Sequence, residues 1–213
     1  MRITKLGEDI LRQKAQPFAM EEINDELRSF IDEMFDTMIE ANGVGLAGPQ
    51  AGISKRIFVV IADDDDKKQK LRIRDIPVAG KIADIPRLVK EFDVISTSAE
   101  LSDYEEGCLS VPGVYETIQR PAKVSVQAYN ENGKMFTLDA EGLLARIIQH
   151  EYDHLEGMLF IDRGDPEVAQ KTVEQFKKRA EKAEKRVAEK EAKARKIAAK
   201  KAAAEAKKAA KKA

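Results

Sequence analysis

Residues 141–157 read EGLLARIIQHEYDHLEG, and the rest of the chain is best understood outward from this stretch. Leu144, Ile147, Ile148 and Leu155 recur at helical spacing, which predicts an amphipathic helix turning one apolar face to a core. Asp139 stands where it can cap the start, and Gly157 supplies the stop. The only two histidines of the chain, His150 and His154, lie on this helix. Four residues make one helical turn, so both rings project from one face about 6 Å apart. Two imidazoles so arranged suit a single metal ion, and Glu151 between them is placed to reach a water on that metal.

The flanking segments set the fold class. From Glu21 to Ala41, the residues Ile23, Leu27, Phe30, Ile31, Met34, Phe35, Met38 and Ile39 mark a second amphipathic helix, stopped by Asn42-Gly43. The glycine-rich GVGLAGPQAG follows, and then Arg56 to Ile61 (RIFVVI), a β-branched run typical of a strand. Residues 62–92 contain ADDDDKK, Pro77 and Pro86 without a clean period and are expected to form a mobile excursion. Residues 93–138 read as short strands, with Val124, Val126 and Ala128 alternating with polar neighbours and Asn132-Gly133 as a hairpin turn. Strands gathered between two helices predict an α+β fold. Short antiparallel β-sheets would surround a central metal-binding helix, with an N-terminal amphipathic helix and a long charged C-terminal helix or tail.

Composition narrows the function classes. The chain has 213 residues, 43% hydrophobic and 35% charged, enough for one domain and something more. Its longest apolar run, Ile57 to Ala62, is far short of a membrane helix. No apolar core precedes a cleavage-like site near the N-terminus, so no secretory signal is expected. One cysteine, Cys108, excludes an intramolecular disulfide and suits a reducing compartment, so a cytoplasmic location is expected. The net charge of −1 conceals a division: residues 171–213 hold 17 Lys and Arg against 6 Glu, a balance of +11, leaving −12 on the remainder. Fourteen of those 43 residues are Ala, and only Val173, Phe176, Val187 and Ile197 are large and apolar. This segment is an appendage. The chain is therefore divided into residues 1–165, which carry the chemistry, and a basic Lys/Ala-rich helical or disordered tail, 166–213.

A catalytic metal site needs a third protein ligand and an open position. No further histidine exists, which leaves a downstream carboxylate, Glu167 or Glu174, or the thiol of Cys108. The carboxylates correspond to a zinc peptidase of the HExxH type. Cys108, in EEGCLSVPG at the entry to a strand, is favoured, because Glu174 lies where little apolar surface would hold it. A thiolate with two imidazoles suits zinc or ferrous iron. A closed structural site would require four protein ligands. The stretch GVGLAGPQ has neither a dinucleotide nor a phosphate-loop spacing; Gln50 offers an amide donor of the kind an oxyanion hole uses.

Taken together and in order, GVGLAGPQ (43–50), EGCLS (106–110) and QHEYDHLEG (149–157) resemble the signature of peptide deformylases, over roughly residues 1–165. The resemblance implies a metal-dependent hydrolase that removes the formyl group from N-formylmethionyl nascent polypeptides and releases formate. It implies Cys108, His150 and His154 as ligands of Fe2+, one per chain, for which Zn2+, Ni2+ or Co2+ can substitute. It further implies Glu151 as the general acid/base that serves a metal-activated water, with the Gln50 amide and the Leu109 N–H as oxyanion donors. Val44, Gly45, Leu46 and Ile147 are the candidates for binding the methionine end of the substrate. Because some members dock a C-terminal helix on the ribosome, the basic tail is expected to contact ribosomal RNA. Two departures stand out: Gly48 where the motif usually carries alanine, and VISTSAEL (94–101) where an Asn-Pro pair is usual. The second bears on the shape of the cleft edge.

Overall fold

A computed structural model describes residues 1–19, 22–61, 90–130 and 134–210. The Asn132-Gly133 turn and residues 62–89 of the excursion expected over 62–92 lie outside the described residues. The chain divides into two compact units, Met1–Ala169 and Gln170–Ala213.

Helix α1 spans Asp25–Glu40, shorter than the predicted 21–41. The reason is its cap: the Asn24 side chain accepts the Leu27 N–H at 3.0 Å and so begins the helix after Ile23. Leu27, Ile31, Met34, Phe35 and Met38 face the core. Asn42, at φ 56°, turns the chain out of the helix.

Among the described residues the strands form three antiparallel sheets. Strands β1 (Gly45–Ala47) and β2 (Phe58–Val60) make one pair, fully buried on both sides. Strand β3 (Lys90–Thr97) pairs with β6 (Lys123–Tyr129), which pairs with β7 (Met135–Glu141). Strands β4 (Leu101–Cys108) and β5 (Val111–Pro121) form a long hairpin ending at Cys108. Val124, Val126 and Ala128 are buried as their alternation predicts. Residues 90–92, assigned to the excursion by the sequence, belong to β3.

Helix α2 runs Gly142–Leu155. Its start corrects the expectation that Asp139 is the cap. The β6–β7 ladder continues through Ser125↔Asp139 to Lys123↔Glu141, so Asp139 stays extended and accepts a hydrogen bond from the Ser125 hydroxyl. Gly142, at φ 59°, makes the turn into the helix, a conformation glycine adopts without penalty. The helix ends as expected at Gly157, φ 74°, with Met158 N–H bonded to the Asp153 carbonyl at 2.8 Å. Ile147, Ile148 and Leu155 join α1, β1, β2 and β6 in one core, with Leu144 packed against it. The metal-type helix is thereby the central element of the first unit.

Helix α3, Pro166–Ala210, follows a proline at its first position. The Asp165 carboxylate accepts the Glu167 N–H at 2.8 Å. Among the described residues no helix is long and apolar enough to cross a membrane.

Candidate metal centre

Helix α2 carries His150 and His154 with ring centroids 5.2 Å apart. The β4–β5 hairpin delivers the third group: Cys108 Sγ lies 3.3 Å from His154 Nε2. Ligand atoms of Cys108, His150 and His154 all fall within 4.8 Å of one another, close enough for one soft-to-borderline cation. The set contains the thiol; neither Glu167 nor Glu174 belongs to it. The downstream-carboxylate alternative is therefore discarded.

The surroundings fit a cation. His150 Nδ1 is engaged by Glu106 Oε2 at 2.8 Å, which leaves Nε2 for a metal and fixes the ring. Burial opposes charge on His150, but hydrogen bonds with Cys108 and Glu106 outweigh it and raise its pKa well above the usual histidine range. These acceptors draw positive charge to the point where an ion would sit. Burial, reinforced by the charge of His150, holds His154 well below that range, as a neutral ligand requires.

Glu106 is itself held. Burial raises its pKa, but hydrogen bonds from His150 and Arg120 prevail and keep it well below the usual carboxylate range. Arg120 Nε and Nη2 reach Glu106 at 2.7 and 2.9 Å, while its Nη1 reaches Asp153 at 2.6 Å. Arg146, one turn before His150, gives Nη1 to Glu106 at 2.9 Å and Nη2 to the Ser102 carbonyl at 2.6 Å. Arg163 takes the rest of Asp153. Every charge in this buried chain of groups has an opposite partner.

Glu151 is 3% exposed, and among the described residues its Oε2 has no hydrogen-bond partner. Burial pushes its carboxyl pKa up to about 7, a range suited to exchanging protons near neutrality. A Cβ at Gly45 would overlap the Glu151 carboxylate, so glycine there is what admits the side chain. Gln50 is oriented by the Ala47 N–H on its Oε1 at 2.8 Å and points Nε2 at Cys108 Sγ, 3.3 Å away. Gln50, Glu106, Cys108, His150 and Glu151 meet in a cleft of about 580 Å³, lined also by Val44, Tyr104, Leu109, Tyr115 and Ile147.

A sequence profile of the polypeptide deformylase family matches residues 1–170. The chain belongs to the polypeptide deformylase family. Peptide deformylase of Fusobacterium nucleatum is 44% identical over 165 residues, covering 78% of this chain and 84% of its own length. Peptide deformylase 1 of Clostridium perfringens is 46% identical over 155 residues, covering 73% and 91%. A crystal structure of a Synechococcus elongatus peptide deformylase in complex with actinonin superposes with a TM-score of 0.67 at 37% identity, covering 83% of this chain and 87% of that one. The enzyme is accordingly a metal-dependent amide hydrolase with a Cys/His/His centre.

The structure brings Gln50, Cys108, Leu109, His150, Glu151, Val44, Gly45 and Ile147 to the cleft of this deformylase, and His154 into the ligand set. Leu46 is the exception. It is fully buried in the core and does not line the cleft, because neighbouring residues of a strand face opposite sides and Gly45 takes the cleft side. Gly48 also has a structural reason: a Cβ there would stand 2.5 Å from the Lys55 carbonyl oxygen and 2.8 Å from Ile57 Cγ2, so the returning chain packs on its backbone.

Glu106, Arg120, Arg146 and Asp153 were given no role by the sequence reading. Arg146 left a trace, a charge inside the apolar run LLARII. Arg120 left none, since its partners lie 14 and 33 residues away. Arg120→Leu is expected to cost about 3–5 kcal/mol in urea unfolding by leaving buried carboxylates undercompensated. A loss under 1 kcal/mol would contradict this. Gly45→Ala is expected to keep the metal and lower kcat about 10²-fold by displacing Glu151; unchanged kcat would show that the carboxylate tolerates the shift.

Proposed function

We propose that this enzyme hydrolyses the N-formyl amide of formylmethionyl peptides, releasing formate and a free amino terminus. The observation that carries the reading is the convergence of Cys108, His150 and His154 beside the buried Glu151 carboxylate, whose Oε2 has no hydrogen-bond partner among the described residues, at a cleft of about 580 Å³.

Cys108, His150 and His154 would hold the metal, for which Fe2+ is the proposed ion. When bound, such an ion acidifies a water and polarises a carbonyl oxygen. Glu151 accepts the proton released when water adds to the formyl carbon and returns it to the departing amine nitrogen. Burial keeps that carboxylate able to do both near neutral pH. The Gln50 amide and the Leu109 N–H serve the charge that develops on the formyl oxygen, where donors already in place lower the barrier most. The methionine side chain lies against Val44 and Ile147, with the Gly45 backbone alongside. Formate release from a formyl-Met dipeptide by anaerobically purified protein tests the reading; no release above a Glu151→Gln control would reject it.

Residues 1–165 carry the catalysis and 166–213 form an arm for ribosomal RNA. The supporting features are the +11 balance of residues 171–213 and 45 helical residues, about 68 Å at 1.5 Å per residue. Glu181–Lys185 and Glu189–Lys193 are favourable i,i+4 pairs, and the remaining lysines suit a phosphate backbone. Truncation after Asp165 is expected to leave dipeptide deformylation intact and to weaken ribosome co-sedimentation most at low salt. Equal co-sedimentation across a salt series would exclude the arm.

A further inference from the structure

The N-terminal segment ties the two cleft motifs together. Thr4 N–H donates to the Gln50 carbonyl and Leu6 N–H to the Ser110 carbonyl, each at 2.9 Å. Between them, Lys5 lines the cleft and is half-buried. Its ammonium donates to the Leu109 carbonyl at 2.7 Å. The nearby Glu8 carboxylate is engaged elsewhere, by the Arg2 guanidinium at 2.8 and 2.6 Å and by the Lys5 backbone N–H at 2.7 Å.

The Leu109 carbonyl and the Ser110 N–H are two ends of one peptide unit. Ser110 N–H donates to Cys108 Sγ at 3.4 Å. A cation on the carbonyl end withdraws electron density through the conjugated amide and makes the N–H a stronger donor, so the two hydrogen bonds reinforce one another. Ser110 is fully buried, where such polarisation is least screened.

We propose that Lys5 is a positioning residue for the thiolate: through the Leu109–Ser110 peptide it strengthens the hydrogen bond to Cys108 Sγ and draws charge from the sulfur. This rests on the reading of Cys108 as a metal ligand. A sulfur that donates less leaves the metal more electron-poor and a better polariser of the scissile carbonyl. The Gln50 amide, 3.3 Å from the same sulfur, is the second donor. That amide is neutral, whereas Lys5 places a positive charge on the peptide whose N–H reaches the sulfur.

The test uses full-length protein loaded with Co2+, whose thiolate-to-metal charge-transfer absorption reports the sulfur directly. In Lys5→Met, and in Lys5→Gln as a second uncharged variant, this band is expected to move to lower energy. The value of kcat is expected to fall about tenfold, at the low end for the loss of an outer partner, with KM unchanged. Lys5→Arg is expected to restore both. A purely structural role would shift the melting temperature and leave the band in place, and that outcome overturns the proposal. A change confined to KM overturns it as well, marking Lys5 as a substrate contact. Absence of a thiolate band in the parent protein would instead remove Cys108 as a ligand, and this proposal with it.

Discussion

Glu151→Gln is expected to retain one metal per chain while losing turnover by at least about 10²–10⁴-fold, the usual effect of removing a positioned general base. The substitution keeps the size of the side chain and removes its ability to take a proton. At 1.36 kcal/mol per decade, the loss corresponds to about 3–5 kcal/mol of barrier. Metal analysis beside kcat on the same preparation separates chemistry from binding; near-normal turnover in metal-loaded protein would reduce Glu151 to a packing residue. Stability should move the other way. Burial raises the Glu151 pKa from 4.5 to about 7, so in metal-stripped protein the unfolded chain releases this proton first and stability falls between those values as pH rises. Glu151→Gln lacks that dependence. Its stability advantage over the parent is therefore expected to grow from pH 4.5 to 7, and an advantage that shrinks over this range would contradict the assigned environment.

Cys108→Ala, combined with His154→Ala, is expected to abolish stoichiometric metal binding and all activity. The pair removes two of the three groups that converge within 4.8 Å, and one imidazole cannot hold a catalytic ion. Circular dichroism on the same variant checks that the fold is retained, since His154 is buried on α2. Stoichiometric metal in the double variant would sink the ligand assignment. The parent protein loaded with Fe2+ is expected to lose activity in air as the thiolate oxidises, whereas Ni2+- or Co2+-loaded protein keeps it. Equal oxygen sensitivity of all three forms would reject ferrous iron as the source of the lability.

Local chemistry made several features legible in the residue order alone. The four-residue spacing of His150 and His154 on a helix with one apolar face left little freedom in where their rings could point. The alternation of Val124, Val126 and Ala128 likewise anticipated which side of β6 is buried. The basic, apolar-poor composition of residues 171–213 set them apart from the rest without reference to any contact. These are properties of neighbours in the chain, and helical or strand periodicity translates them directly into geometry.

What depended on distant contacts could not be read that way. Asp139 has the chemistry of a cap, yet a ladder partner 14 residues earlier keeps it in a strand. Leu46 sits in a motif that lines the cleft, but the pleat turns it into the core while Gly45 makes room for Glu151. Cys108 joined the histidines in the sequence reading through motif order and the lack of a better-held partner. Only the β4–β5 hairpin packed on α2 shows its sulfur 3.3 Å from His154. In the buried chain from Arg146 through Glu106 and Arg120 to Asp153, both carboxylates lie within the EGCLS and QHEYDHLEG motifs, but nothing in the residue order pairs them with the arginines. Nothing there points to Lys5, which reaches the peptide beside the sulfur across 104 residues. Periodicity governs which face a side chain takes; which charges share a buried space is decided by the packing of whole elements, and there the desolvation penalty makes each partner indispensable to the others.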